Sequence, residues 1–496
     1  MKKAADNTSL EPEGSPMNNF HEQAMSFVYQ QVLHRLLGFF SRPERVALQL
    51  LIQRLLVAAG GIERIGQYRV LVVHEGGKEC AYTLAFLRAA QLSIAGRSPD
   101  TFVLRVAVLC QPRVTTNVMA RIQAQCAELF IYDDSRVELL VADSRGVRRH
   151  HKPISFESRL SVIDRTQVLM SGHLTQGDTR ATFFYADLLS RAKLYRNACE
   201  WGNKVSALID RRPPAYLGEY TAWIRRVAQQ QGHALNGVHR ESFETAVKLC
   251  SRLDDDYKQL LHLSPPSVQQ AAAVYSSNEI SVINVFDCLS SEMDVLSSQV
   301  LMFMEGPSQT LDIEEPQVAA VLLAAHVHGL RGTYLEGEEY SVGVDAYWRR
   351  ISIKNQDNHN VKGQLIKQLV GAFNTPKRIE KLRVLATQYL EQLHGVSDEQ
   401  LGCFICSPFV NQGDSLEPFL QYFYPEKLQS INGLRGVLMG QSTDTQVDEV
   451  TWLESVSGLP LASLQALYHM PEIDFEDSDS LIASLWAHDP VKQAVP

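Results

Sequence analysis

The sequence predicts an α/β fold: an N-terminal helical hairpin, a mostly parallel sheet with flanking helices, and a helix-rich C-terminal half that has room for a second α/β unit. Three observations predict it. The runs Arg69 to His74 (RVLVVH) and Phe102 to Cys110 (FVLRVAVLC) are nearly continuous in apolar residues, as strands buried on both faces of a parallel sheet are. Between them, Cys80 to Ala95 carries a helical apolar period, so strand and helix alternate. Ahead of both, Met25 to Phe40 and the segment after Ser41 read as two short-linked helices.

At 496 residues the chain exceeds one ordinary core. The expected division is a disordered leader at 1–20, a helical hairpin at 21–66, an α/β domain at 67–190 and a helical region at 191–278. A second α/β or mixed helical domain follows at 279–470, then an acidic amphipathic tail at 471–496. A net charge of −9 argues against a general nucleic-acid coat, which needs a broad basic face. No run of about 18 apolar residues is present, so no transmembrane segment is expected. The first residues, MKKAADNTSLEPEGSPMNNF, have no apolar stretch behind their lysines and do not read as a signal peptide. The eight cysteines are scattered through apolar segments, the pattern of reduced thiols in a cytoplasmic, bacterial protein; an exported effector with an unstructured leader is the alternative.

Taken in order, Ser41-Arg42-Pro43-Glu44 is a capping box opening the second helix, and Gly60-Gly61 ends it. The hairpin either covers the chain's own sheet or offers a dimer surface. Thr116 to Gln125 reads as a helix, Leu129 to Tyr132 and Val137 to Ala142 as strands, and Leu160 to Asp164 with Gln167 to Met170 as a strand pair. From Thr179 the pattern is helical, with Trp201 and Trp223 in the packing. Arg211-Arg212-Pro213-Pro214 and Ser264-Pro265-Pro266-Ser267 suggest boundaries. Glu279 to Phe286 is a strand candidate, and Pro316 to His328 a helix ended by Gly329. Residues 337 to 363 are turn-rich, Lys377 to Leu393 is a helix, and Gly402 to Val410 is a strand. The end, PEIDFEDSDSLIASLWAHD, is either a docking peptide for a protein partner or a C-terminal helix with an acidic start.

The densest chemistry lies between Val147 and Asp178. The run Arg145, Arg148, Arg149, His150, His151, Lys152 is either a phosphate clamp, since guanidinium forks match phosphate oxygens, or a solvated loop. Downstream, Asp164 is followed at seven and eight positions by Ser171-Gly172. This segment, LSVIDRTQVLMSGHLT, resembles the strand-turn-strand core of the phospholipase D superfamily, and bacterial phosphatidylserine synthases of that superfamily have a related turn. The resemblance covers residues 68 to 190 and implies a signature of His-x-Lys, then Asp, then a Gly/Ser pair. In the register set by Asp164, Glu157 and Arg159 stand where the His and Lys belong. In a second register His150 and Lys152 take those places, with Glu157 in place of the Asp. The resemblance thus implies His150, Lys152 and Asp164 as catalytic residues, and Arg148, Arg149, Glu157, Arg159, Ser171 and Gly172 around the ligand.

Among the fifteen histidines only His150 has a lysine two residues later. Chemistry that sets one histidine as nucleophile against another as general acid would therefore need a homodimer. Three functions stay open: a degenerate, non-catalytic module binding an anionic ligand; a regulatory scaffold working through a protein partner; and a phosphodiester-processing enzyme (phosphatidyltransferase, phospholipase or nuclease) active as a homodimer. Peripheral membrane contact accompanies the lipid-directed versions. No metal or other cofactor is expected.

Other clusters read blandly. His74-Glu75-Gly76-Gly77-Lys78 lies where open α/β sheets bind anions and nucleotides, but fits neither the Gly-x-Gly-x-x-Gly fingerprint nor a P-loop, so a plain Gly-Gly turn is the competing reading. Cys403 and Cys406 read as core thiols on opposite faces of a strand. His326 and His328, two apart on a helix, do not face one ligand, and Asp254-Asp255-Asp256 reads as charge flanking a helix.

Overall fold

The computed structural model describes residues 16–110, 114, 116–143, 146–150, 162–212, 214–233, 243–263, 280–288, 316–354, 361–441, 446–477 and 479–490. It is an α/β structure with a six-stranded sheet and a helical C-terminal half. The strands are β1 (Arg69–Val73), β2 (Val103–Leu109), β3 (Val137–Asp143), β4 (Gly146–Arg149), β5 (Ala207–Asp210) and β6 (Ser281–Asn284). They lie in the order β4-β3-β2-β1-β5-β6, parallel throughout except for the β3–β4 hairpin at one edge.

Side-chain alternation divides the strands between two apolar layers. Val70, Val72, Leu104, Val106, Ala207 and Ile209 face one core, shared with α1 (Pro16–Phe39), α2 (Arg42–Ala59), α3 (Lys78–Ala95) and α4 (Thr116–Glu128). The hairpin α1–α2 thus covers the chain's own sheet. Leu71, Val73, Ala107, Leu109 and Leu208 face the other core. There they meet Ala198 and Cys199 of α7 (Tyr185–Glu200), which follows α5 (Val162–Leu174) and α6 (Thr179–Phe183). The chain runs outward from β1 to β3, then returns to place β5 on the other side of β1. Connections therefore diverge between β1 and β5, the place where open α/β sheets have their crevice.

Local chemistry explains several boundaries. Ser41 and Glu44 form the reciprocal cap of α2, and Gly60 ends that helix at φ +80°. Arg88, fully buried on α3, pairs with Asp134 at 2.7 Å and donates to the Leu129 carbonyl. Residues 129–132 therefore form a turn instead of the expected strand, their carbonyl groups turned toward a buried cation. Arg105, equally buried on β2, donates to the carbonyls of Ala198, Cys199 and Asn203 and pairs with Glu138, closing the C-terminal end of α7.

The helical half departs further from expectation. Val162 to Leu174 is one helix, α5, where a strand pair was expected. The helical region after α7 contains β5, a strand the sequence reading lacked, before α8 (Pro214–Gln230) and α9 (Phe243–Leu260). Asp254-Asp255-Asp256 lies inside α9 instead of flanking it, with Asp254 held by Lys193 and Lys258. Helix α10 (Pro316–Leu335) continues through Gly329, whose lack of a side chain leaves room for the Tyr340 ring instead of ending the helix. Tyr340–Lys354 forms α11 within the stretch read as turns. After α12 (Val361–Ala372) and α13 (Pro376–His394), the expected strand at 402–410 is replaced by α14 (Asp398–Cys406). Helix α1 begins at Pro16, inside the stretch expected as a disordered leader; residues 1–15 lie outside the described residues.

The final helix, Leu481–His488, packs Leu481, Ile482 and Leu485 into the same core as α5. Trp223 donates to the Leu485 carbonyl at 3.0 Å, and Asp489 pairs with Arg180. The tail thus docks on its own chain; what the sequence offered as a peptide for an external partner is part of the core. Among the described residues no helix is long and apolar enough to cross a membrane.

Candidate anion-binding site

The polar groups that converge are at the C-terminal edge of the sheet, between β1 and β5. β1 ends at Val73, and His74 still bonds the Ala107 carbonyl of β2. Gly76 then turns the chain at φ +82°; a side chain there would sit 2.5 Å from Val118, so both the conformation and the space require glycine. Its amide donates to His74 Nδ1 at 3.1 Å. Burial holds the His74 imidazole near pKa 3, with Arg211 adding to the depression and Gln125 opposing it, so the ring is neutral at ordinary pH. Gly77 opens α3 with no side-chain cap, and nothing lies within 4 Å of where its side chain would project.

Glu75, two residues beyond Val73, points to the α7 side. Arg191 of α7 pairs with one of its carboxylate oxygens, and Arg211, just past β5, reaches the other at 3.1 Å. Arg211 also lies 3.7 Å from Glu79 in the first turn of α3. Arg212 bonds Asp210 Oδ1 through its side chain at 2.8 Å and its backbone amide at 3.3 Å. Asn284, at the end of β6, donates to the Arg212 carbonyl and fixes this loop. The Arg191 guanidinium lies over the Tyr195 ring at 5.7 Å. Burial presses Arg191 below its usual range, Tyr195 offsets this, and Arg212 and Arg211 add to the depression. Guanidinium groups from two separate elements thus grip one carboxylate beside the open end of a helix, the geometry that holds an oxyanion.

The residues singled out from sequence do not meet there. Arg148 and Arg149 lie on β4, the far edge strand, where Arg148 pairs with Asp143 at 2.6 Å and Arg149 donates to the Val137 carbonyl. The described cations of the basic run, Arg148 and Arg149, thus lie on a strand and fasten their own hairpin, while Arg145 and His151 lie outside the described residues. His150 follows it, its amide bonded to the Leu139 carbonyl. Lys152, Glu157 and Arg159 lie outside the described residues, as does the side chain of Asp164 on α5. Ser171 and Gly172 are in the middle of α5 instead of a turn. The Ser171 hydroxyl meets the Tyr257 hydroxyl at 2.8 Å in the helical core, and a side chain at Gly172 would come within 2.8 Å of the Phe404 ring. His150 and the Ser171-Gly172 pair therefore belong to different layers of the molecule.

Cys403 and Cys406 are one helical turn apart on α14, not on opposite faces of a strand. Burial raises both thiols, Cys403 well above its usual value and Cys406 to about 12, so neither is a thiolate. His326 bonds Tyr340 through Nδ1 at 2.8 Å, and His328 stacks on Tyr347. Among the described residues no three of His, Cys, Asp or Glu form a metal-holding set.

Sequence reasoning found the Glu75-Gly76-Gly77 turn but missed Arg191, Arg211, Arg212 and Asp210. The available signal was the apolar run Ala207-Leu208-Ile209 ending in Asp210-Arg211-Arg212, which reads as a short buried strand followed by cations; the prolines after it read more strongly as a boundary. No family model matches the chain, and no curated protein or solved structure matches it.

Proposed function

We propose that this protein binds a phosphorylated small-molecule anion at the crevice between β1 and β5, and that it works as a binding or regulatory module. One observation carries the reading: the Glu75 carboxylate is gripped by Arg191 and Arg211 from different elements, beside the uncapped first turn of α3. Glu75 occupies the position of a ligand's oxygens, and an incoming phosphate would displace it. Binding is favoured over turnover because the cations facing Glu75 are arginines, which hold anions and do not exchange protons at neutral pH.

The test is calorimetric titration of the full chain with pyrophosphate. Arg211→Gln should weaken binding about tenfold or more, and Glu75→Gln should tighten it about three- to tenfold by removing the competing carboxylate. Added salt should weaken binding in all forms. No binding, or binding indifferent to both substitutions, would defeat the proposal.

A further inference from the structure

Beside the arginines lies a carboxylate that a phosphate cannot satisfy. Asp210 ends β5, two residues past the Leu71–Leu208 pair with β1, and is 4% exposed. It has the same parity as Leu208, which faces the α7 side, so it projects toward the layer that holds Arg191 and Tyr195. Its Oδ1 accepts both bonds from Arg212. Its Oδ2 is buried and has no hydrogen-bond partner among the described residues. A buried carboxylate oxygen calls for a donor. A phosphate oxygen placed there would be repelled. A hydroxyl would be drawn in. Glu75 cannot supply the donor, and Arg191 and Arg211 are directed at Glu75.

Resting on the anion-binding reading above, we infer that the ligand is a phosphorylated ribose unit, as in a ribonucleotide. Its phosphate displaces Glu75 from Arg191 and Arg211 and meets the first amides of α3. A sugar hydroxyl donates to Asp210 Oδ2. The crevice thereby separates two parts of one molecule by charge: guanidinium groups for the phosphate, a carboxylate oxygen for the hydroxyl. Bare phosphates fill only the first half, and a deoxygenated sugar leaves Oδ2 buried against carbon.

The experiment titrates the full chain with pyrophosphate, ribose 5-phosphate and the four ribonucleoside diphosphates, then repeats the tightest nucleotide as its 2′,3′-dideoxy counterpart. The dideoxy compound should bind about 10- to 100-fold more weakly, the range for losing a hydrogen bond to a charged group. In Asp210→Asn the amide oxygen can keep the bond to Arg212, while a donor replaces Oδ2. There the sugar hydroxyl can only accept from the new amide, a neutral bond, so the ratio between ribose and dideoxy forms should shrink about threefold or more, with pyrophosphate no weaker than before. Ribose 5-phosphate binding as tightly as the best nucleotide would identify the sugar phosphate alone as the recognised unit. Equal binding of ribose and dideoxy forms to the unaltered chain overturns the inference, as does discrimination that survives undiminished in Asp210→Asn. If either occurs with Arg211-dependent pyrophosphate binding intact, only the hydroxyl assignment falls. If nothing binds, the site falls with it.

Discussion

Two groups of arginines in this chain look alike on paper and differ in space. Arg148 and Arg149 belong to a dense run, yet they lie on an edge strand and fasten their own hairpin through Asp143 and the Val137 carbonyl. Arg191, Arg211 and Arg212 come from a helix and from the end of a four-residue strand, and they gather around Glu75 and Asp210. Proximity in sequence spreads like charges along an extended chain. Convergence from separate elements points them at one place, and only that arrangement can surround a ligand.

The largest expected effect tests whether each region holds a buried neutral histidine. His74, at the converging site, and His173, in the segment that carries Ser171 and Gly172, are both pressed to about pKa 3 by burial. Folded, they resist protons; unfolded, each takes one near pH 6.5. Stability is therefore fully present above pH 6.5 and lost as pH falls toward 3, at up to about 1.4 kcal/mol per pH unit for each group. Burial also presses His328 to about 3 and His394 to about 4 and lowers His326. Urea unfolding at pH 7.5 and pH 5 should therefore differ by several kcal/mol, and His173→Leu should remove about a quarter of that slope. A flat profile would mean that both rings reach solvent.

Gly172→Ala sharpens the contrast from the other side. The new methyl group meets the Phe404 ring, an overpacking that costs about 1–3 kcal/mol of stability and leaves pyrophosphate binding unchanged. Impaired binding in a folded Gly172→Ala protein would return that segment to the site. Arg191→Gln comes next: it should weaken pyrophosphate binding about tenfold, as Arg211→Gln does, whereas His150→Ala should not alter it. Arg148→Ala is the smallest effect, within about 0.5 kcal/mol of stability, because the Arg148 side chain is 48% exposed and its pair with Asp143 is screened by solvent. Binding that fails in Arg148→Ala and survives in Arg191→Gln would reverse the comparison.

Strands β1, β2 and β3 were legible because they are five to seven residues long and nearly all buried, whereas β5, only four residues long, was not. Helix α2 was legible because its signals are local: Ser41 and Glu44 cap each other three residues apart, and Gly60 ends the helix. α5 and α14 were not. Val168, Leu169, Met170, Ser171 and His173 are all buried, as are Leu401 through Ile405, so neither helix carries a polar stripe to reveal its period. A helix sunk in a core reads like a buried strand. Gly329 misled for a related reason: it gives room to the Tyr340 ring instead of ending a helix. Of the converging site, the Gly76 turn was visible as a short motif, while its cations sit more than a hundred residues downstream.

By itself the sequence determined the fold class, the sheet's first three strands, the capped N-terminal hairpin and the turn after β1, all of which depend on residues within one or two turns of each other. Tertiary structure alone decided which charges meet. The return of β5 to the far side of β1 brings Asp210, Arg211 and Arg212 to the Gly76 turn and sets α7 over the opposite face, so that Arg191 arrives there too. That placement depends on which faces the helices cover, and burial on a face is a property of the packed chain.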